Sequence, residues 1–153
     1  MEKNKKSVIL FGFFLILLVA FAIYARVQPK DGGYTQPSAD DIVRLYFTAW
    51  NDKNYPDMYS TLSDGFKRIE PTAKNLESFR KYVESQGIET VHVLMVKEIS
   101  NDGTAAVVDY DVEFKIDGNK KDFSGTFMLK NRQADIIRGW KITNPYGGNA
   151  DIS

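Results

Sequence analysis

His92 is the single histidine in this chain, and there is no cysteine. That combination removes thiol nucleophiles, disulfides, a lipidated cysteine anchor, and any zinc site built from several His or Cys of one chain. His92 stands in a segment whose two faces are both apolar, with Val91, Val93 and Met95 on one and Leu94 and Val96 on the other. A lone ring there reads as structural, and no neighbouring Ser/Asp motif supports a hydrolytic triad. Asn101-Asp102-Gly103 and Asp117-Gly118-Asn119 carry the residue types of calcium loops. An EF-hand needs a bidentate Glu at its twelfth position, and counting from Asp117 that position is Met128. Both tripeptides read as turns, and the sequence implies no metal and no cofactor.

Two other groups could do chemistry. Asp109, Tyr110 and Asp111 put two carboxylates beside a phenol. Strand parity separates them. Tyr110 shares a face with Ala106, Val108, Val112, Phe114 and Ile116, so it points inward and the acids point out. Reversing the faces would bury carboxylates and expose large apolar side chains, at far higher cost. Arg138 is the second case. On strict alternation it shares a face with Ile136, Trp140 and Ile142, which aims a guanidinium at the interior or its rim. An anion-receiving pocket beside Trp140, Tyr46 and Trp50 is one reading. A rim ion pair, or a bulge at Gly139 that turns Arg138 outward, is the other, and the aromatic residues then serve as core. The candidate pocket residues are therefore Tyr46, Trp50, Tyr110, Arg138 and Trp140; no residue is assigned as catalytic.

The elements that must position these residues follow from periodicity. Ser38 is an N-cap with Asp41 in the capping-box position, and Ile42, Val43, Tyr46, Ala49 and Trp50 follow at helical spacing. A second helix runs from about Pro56 to Leu62, with Pro in its first turn. A third covers about Leu76 to Gln86, with Gly87 as its stop. The period then changes to two. Strands are expected at 90–99, 104–116, 122–130 and 136–143, the first two joined by the Asn101-Asp102-Gly103 turn and the next by Asp117-Gly118-Asn119. Helices first and an antiparallel meander after them make an α+β domain: three helices packed on the concave face of a curved, mainly antiparallel four-stranded sheet.

The 153 residues are enough for one domain and an appendage. Residues 8–25 contain no charged side chain. As a helix they would be about 27 Å long, close to the thickness of a bilayer core. Lys3, Lys5 and Lys6 precede the run, which places the N-terminus in the cytoplasm and the domain outside. The expected organisation is a basic start at 1–7, a transmembrane helix at 8–25, a linker at 26–37, a domain at 38–145 and a tail at 146–153. A signal peptide cleaved near Ala20-Phe21-Ala22 is the alternative and would leave a secreted protein. The anchor is preferred because the run continues through Ile23, Tyr24 and Ala25. Residues 31–153 carry 15 Lys/Arg against 19 Asp/Glu, the wrong balance for a nucleic-acid binder.

Several segments resemble one known superfamily. They are Phe47-Thr48-Ala49-Trp50 on the first helix, Asn54-Tyr55-Pro56-Asp57-Met58-Tyr59-Ser60-Thr61-Leu62-Ser63 around the second, Ser78-Phe79 with Tyr82 on the third, and Trp140-Lys141-Ile142 on the last strand. The pattern is similar to the nuclear transport factor two-like superfamily, the cystatin-like cone. It looks most like extracytoplasmic bacterial members such as the N-terminal domain of resistance-type penicillin-binding proteins. Some enzymes of that superfamily, ketosteroid isomerase among them, place an acid and a Tyr inside the cone; the parity of Asp109 and Asp111 departs from that arrangement. The fold hosts enzymes, binders and scaffolds alike. The expectation is a membrane-anchored, extracytoplasmic, non-catalytic module that binds a protein partner or a second copy of itself, sheet edges being one means of pairing. The alternative is a small-molecule binder or cone-pocket enzyme, distinguished by an open, polar-lined interior instead of a filled one.

Overall fold

The computed structural model of the protein describes residues 36–146. The apolar run at 8–25, all of the linker before Gln36, and residues 147–153 lie outside them. Among the described residues no helix is long and apolar enough to cross a membrane.

Helix α1 spans Ala39–Asn51 and starts as the capping box requires. The Ser38 hydroxyl accepts from the Asp41 N–H, and the Asp41 carboxylate accepts from the Ser38 N–H at 3.1 Å. The Ser38 hydroxyl, which donates to Asp41 Oδ2 at 2.6 Å, and the Ser38 N–H hold the Asp41 carboxyl below the usual carboxylate range. The chain leaves α1 through Lys53, whose φ of 57° ends the helix. Helix α2 is Tyr55–Ser60, capped by Asn54. Helix α3 follows at Asp64–Ile69, capped by Ser63, and then a 3-10 turn at Pro71–Ala73. Helix α4 is Leu76–Ser85, and Gly87 takes the expected left-handed conformation at φ 66°. The described part therefore has four α-helices where periodicity gives three. Helix α3 is short, and Ser63-Asp64-Gly65 at its start has the composition of a turn.

Four strands form one antiparallel sheet in the order β1-β2-β3-β4: Ile88–Asn101, Ala105–Ile116, Asn119–Arg132 and Gly139–Ile142. The parity of β2 is as expected. Ala106, Val108, Val112 and Phe114 are buried, and Tyr110 packs against the same core. Strand β1 shows why its two faces looked alike. Its register shifts between Val93 and Met95, so Val91 and Val96 both face the core while Leu94 is left exposed. A bulge of this kind carries the buried set from odd to even positions and bends the strand. The last strand differs more. It begins at Gly139 and not at residue 136, because Gly139 has φ 120°, a conformation essentially confined to glycine. The chain therefore cannot run straight from Ile136 into Trp140, and the alternation that placed Arg138 with Trp140 stops there.

Parts of both sheet edges are covered. On β1, Arg44 Nη2 donates to the Val96 carbonyl (2.9 Å), Lys53 Nζ donates to the Ile88 carbonyl (2.7 Å), and the Val91 N–H donates to Asn51 Oδ1 (3.0 Å). Side chains of α1 and its C-terminus thus take up backbone groups that a further strand would need. On β4, Leu62 forms a parallel bridge with Ile142. The Ile142 N–H donates to the Thr61 carbonyl (2.9 Å), and the Ser63 N–H donates to the Ile142 carbonyl (3.0 Å). At these positions the backbone groups are already engaged, whereas β4 pairs with β3 only over Leu129–Arg132, a small part of that strand.

Candidate functional site

The interior between α1 and the sheet is built from rings. Phe47 lies at their centre, fully buried, stacked on Phe127 (5.7 Å, 11°) and tilted against Tyr110 (4.8 Å) and Phe114 (6.5 Å). Tyr46 meets Phe47, Trp50 and Phe127 edge-on at 5.2 Å, 5.9 Å and 5.6 Å. Trp50 continues to Phe114 at 5.2 Å, and Tyr110 to Phe127 at 4.5 Å. These are edge-to-face and offset contacts of the kind that fill cores. Tyr110 has room because its cross-strand neighbour is Gly125; a Cβ there would sit 2.5 Å from the phenolic oxygen. Burial, with Tyr146, Tyr110 and Tyr82 nearby, raises the Tyr46 phenol far above its usual value, so it carries no charge at neutral pH.

The structure thus brings Tyr46, Trp50 and Tyr110 together, as packed rings. Trp140 is buried on β4 opposite Asn131. Arg138 is not with them: it is exposed on the stretch before β4, turned away by Gly139. The register of β4 against β3 is continuous from Gly139, so Arg138 lies before the strand and not in a bulge of it. Asp109 is on the outer face and accepts from the Thr126 hydroxyl at 2.6 Å. His92 is exposed opposite Glu113. Periodicity alone left Phe47 out of the α1 stripe, although its spacing of four from Val43 is helical.

A polar cluster that the sequence does not announce lies where α3 meets the segment between β3 and β4. The Asp64 N–H donates to Asp135 Oδ2, and the Ile136 N–H donates to Asp64 Oδ2, both at 2.9 Å. Two carboxylates 71 residues apart thus each accept a backbone N–H from the other's segment. Asp135 is buried and also pairs with Arg132 at 3.4 Å; Asp64 pairs with Lys67 at 3.4 Å. Lys67 Nζ sits 4.4 Å over the Tyr59 ring, and the Tyr59 hydroxyl donates to the Ala73 carbonyl at 2.9 Å. Below them Lys141 is buried, its Nζ donating to the Ser60 carbonyl at 2.6 Å. Burial pushes that ammonium's pKa down, and the charge of Lys67 adds to the effect against Asp135 and Asp64. A cleft of about 310 Å³ opens over the cluster, lined by Pro56, Tyr59, Lys67, Leu76, Ile136 and Ile137 among others. Ser60 and Asp64 also line it; the Ser60 hydroxyl donates to the Asp57 carbonyl, and the Asp64 carboxylate is engaged by the Ile136 N–H and Lys67. The arrangement can fix a loop and present a surface; it does not aim polar groups at one reacting atom.

The cluster makes a prediction about pH. Burial alone would raise the Asp64 carboxyl, but the bond from Ile136 and the charge of Lys67 outweigh it and hold the pKa below the ordinary 3.8. A group lowered in the folded state stabilises fully above its unfolded value, and that contribution is lost as pH falls through the folded one. Asp64→Asn should therefore lower the thermal midpoint of the full chain at about pH 7. The gap between parent and variant should close in acid below the usual aspartate range. A gap that is constant with pH would show that the charge of Asp64 contributes nothing.

These placements define the class of protein by its architecture: an α+β domain with helices packed on one face of a curved four-stranded antiparallel sheet. No family model matches the chain. Penicillin-binding protein 3 of Bacillus subtilis (strain 168) is 23% identical over 108 residues, which are 69% of this chain and 16% of that protein, so the chain spans only a small part of this relative. Among solved structures, a SEC-C motif containing protein from Psychrobacter arcticus aligns with a TM-score of 0.50 at 14% identity, over 79% of this chain and 70% of that one. An NTF-2 like protein of unknown function from Shewanella oneidensis MR-1 aligns with a TM-score of 0.46 at 16% identity, over 67% of this chain and 88% of that one. An uncharacterised cystatin-fold protein from Novosphingobium aromaticivorans does so at 0.46 and 14%, over 71% and 99%. At such identities the likeness is one of fold and carries no activity.

Proposed function

We propose that this chain is a membrane-tethered, extracytoplasmic interaction module without catalytic chemistry, working by contact with a partner or a second copy. The observation that supports this most is the filled interior. The volume a cone enzyme would keep for substrate is taken by Phe47, Tyr46, Tyr110, Phe114, Phe127 and Trp50 in mutual ring contact. Catalysis needs preorganised polar groups converging on a point, and here the convergent groups are aromatic carbons. The tether rests on the apolar run at 8–25 and its flanking lysines.

The test uses the full chain. Membranes containing it are washed with high salt and alkaline carbonate, and a ligand screen on the detergent-purified protein is read as thermal midpoint. The expected result is retention in the membrane, a flat screen, and crosslinking of the intact protein to a membrane neighbour or to itself. A compound that raises the midpoint in the parent but not in Tyr46→Phe would overturn the module reading in favour of an interior site. Release by carbonate would remove the tether.

A further inference from the structure

Ile136 is 93% exposed and Ile137 55% exposed, side by side on the stretch before β4. The backbone that presents them is tied down: the Ile136 N–H is held by Asp64, and Asp135 next to it is held by Asp64 and Arg132. Two successive large aliphatic side chains are therefore displayed on a fixed loop. A single exposed isoleucine is ordinary, but a pair held out in this way is a contact feature.

Three arginines belong to the same neighbourhood. Arg138 follows directly and is exposed. Arg68 and Arg132 converge beside Gly65 on the first turn of α3, their Nη2 atoms 3.9 Å and 3.8 Å from where a Cβ would stand. The carboxylates of the neighbourhood, Asp64 and Asp135, are already engaged by backbone N–H groups and by Lys67 and Arg132. The loop offers an apolar tip, with the exposed Arg138 next to it and the exposed Arg68 on α3.

The chain also enters the folded unit here. Gln36, the first described residue, lies against Gly139, its Nε2 2.6 Å from where a Cβ would stand. Residues 26–35 separate it from the apolar run at 8–25. Fully extended, they reach about 35 Å at most. The opposite pole, the turn between β2 and β3, lies the length of β3 away from Arg132, the partner of Gly139, about 43 Å.

We infer that the Ile136-Ile137-Arg138 loop is a bilayer contact: the isoleucines enter the boundary between headgroups and acyl chains, while Arg138 and Arg68 meet anionic phospholipid headgroups. This rests on the tethered reading above. Apolar insertion flanked by Lys/Arg is how peripheral elements hold a membrane surface. A short tether gives such a contact a high effective concentration, so it holds the domain down although it would be too weak to recruit a free one.

The absence of native cysteine makes the test direct. Full-length chains carrying Ile136→Cys, Lys121→Cys near the opposite pole, or Ala20→Cys in the apolar run are labelled with an environment-sensitive fluorophore. They are reconstituted in phosphatidylcholine–phosphatidylglycerol vesicles containing brominated lipid. The expected result is lipid quenching at positions 20 and 136 and none at 121. Arg68→Ala and Arg138→Ala, added to the Ile136→Cys chain, should each weaken the docked state roughly fivefold. Quenching at 20 but not at 136 overturns the contact and leaves the tether standing. Quenching at 136 but not at 20 supports the contact and removes the tether. A probe at 136 that is shielded from water but unquenched by lipid shows that protein covers the loop, which overturns the lipid assignment. Arginine variants that leave quenching unchanged overturn its electrostatic half.

Discussion

Phe47→Ala is expected to be the most damaging single change in the domain, costing about 3–5 kcal/mol, the range for deleting a fully buried phenylalanine. The reason is its position. Phe47 touches Tyr46, Tyr110, Phe114 and Phe127, which come from α1 and from two strands of the sheet. Its removal leaves a void that no single neighbour can fill, because each of those rings is also held by another ring. In the full chain this reads as a fall in thermal midpoint of about 10 °C or more. Phe47→Leu, which keeps much of the volume, should cost far less. Equal effects for the two variants would mean that ring geometry, and not filled volume, holds the interior. A negligible effect of Phe47→Ala would show that the cone tolerates an empty centre, and the case against an interior site would weaken with it.

The second large effect is at Tyr110, and it comes with its own control. Tyr110→Ala should cost about 3 kcal/mol, since the ring packs between Phe47 and Phe127. Asp109→Ala, one residue away on the outer face, should change stability by about 0.5 kcal/mol or less. Gly125 supplies the coupling. A methyl group there would meet the Tyr110 hydroxyl at 2.5 Å and its ring carbon Cζ at 2.7 Å. The ring is pinned and cannot swing aside, so Gly125→Ala should cost about 1–3 kcal/mol by overpacking. In a Tyr110→Ala background the same change should be close to neutral, because the atom it struck is gone. Additive effects would place the tyrosine ring somewhere other than over Gly125. A reversal in which Asp109→Ala is the costly change would swap the two faces of β2 and return its carboxylates to the interior.

What periodicity states about this chain, it states because the cause is local. The capping box of Ser38 and Asp41 is made by residues three apart, and it forms as written. The alternation along β2 arises from the strand's own pleat, so the inward set from Ala106 to Phe114 could be read directly, and with it the outward placement of Asp109 and Asp111. Gly87 and the turns at Asn101-Asp102-Gly103 and Asp117-Gly118-Asn119 announce themselves by residue type, because positive φ favours few residues. Helices before a meander were sufficient for the α+β class.

Other features were decided only by the tertiary structure. The bulge in β1 depends on how that strand must bend over α1, so Leu94 and Val96 could not be assigned a face from alternation alone. Helix α3 has few residues and little propensity, and it is held by a cap from Ser63 and by a carboxylate 71 residues away. The same long-range tie sets out Ile136 and Ile137, and the backbone at Gly139 sends Arg138 outward. A pattern of period two or 3.6 records what neighbours in the chain impose on one another. Asp64 and Asp135 become neighbours only when the helices close over the sheet, and the sequence holds no periodic trace of a contact that exists only after that closure.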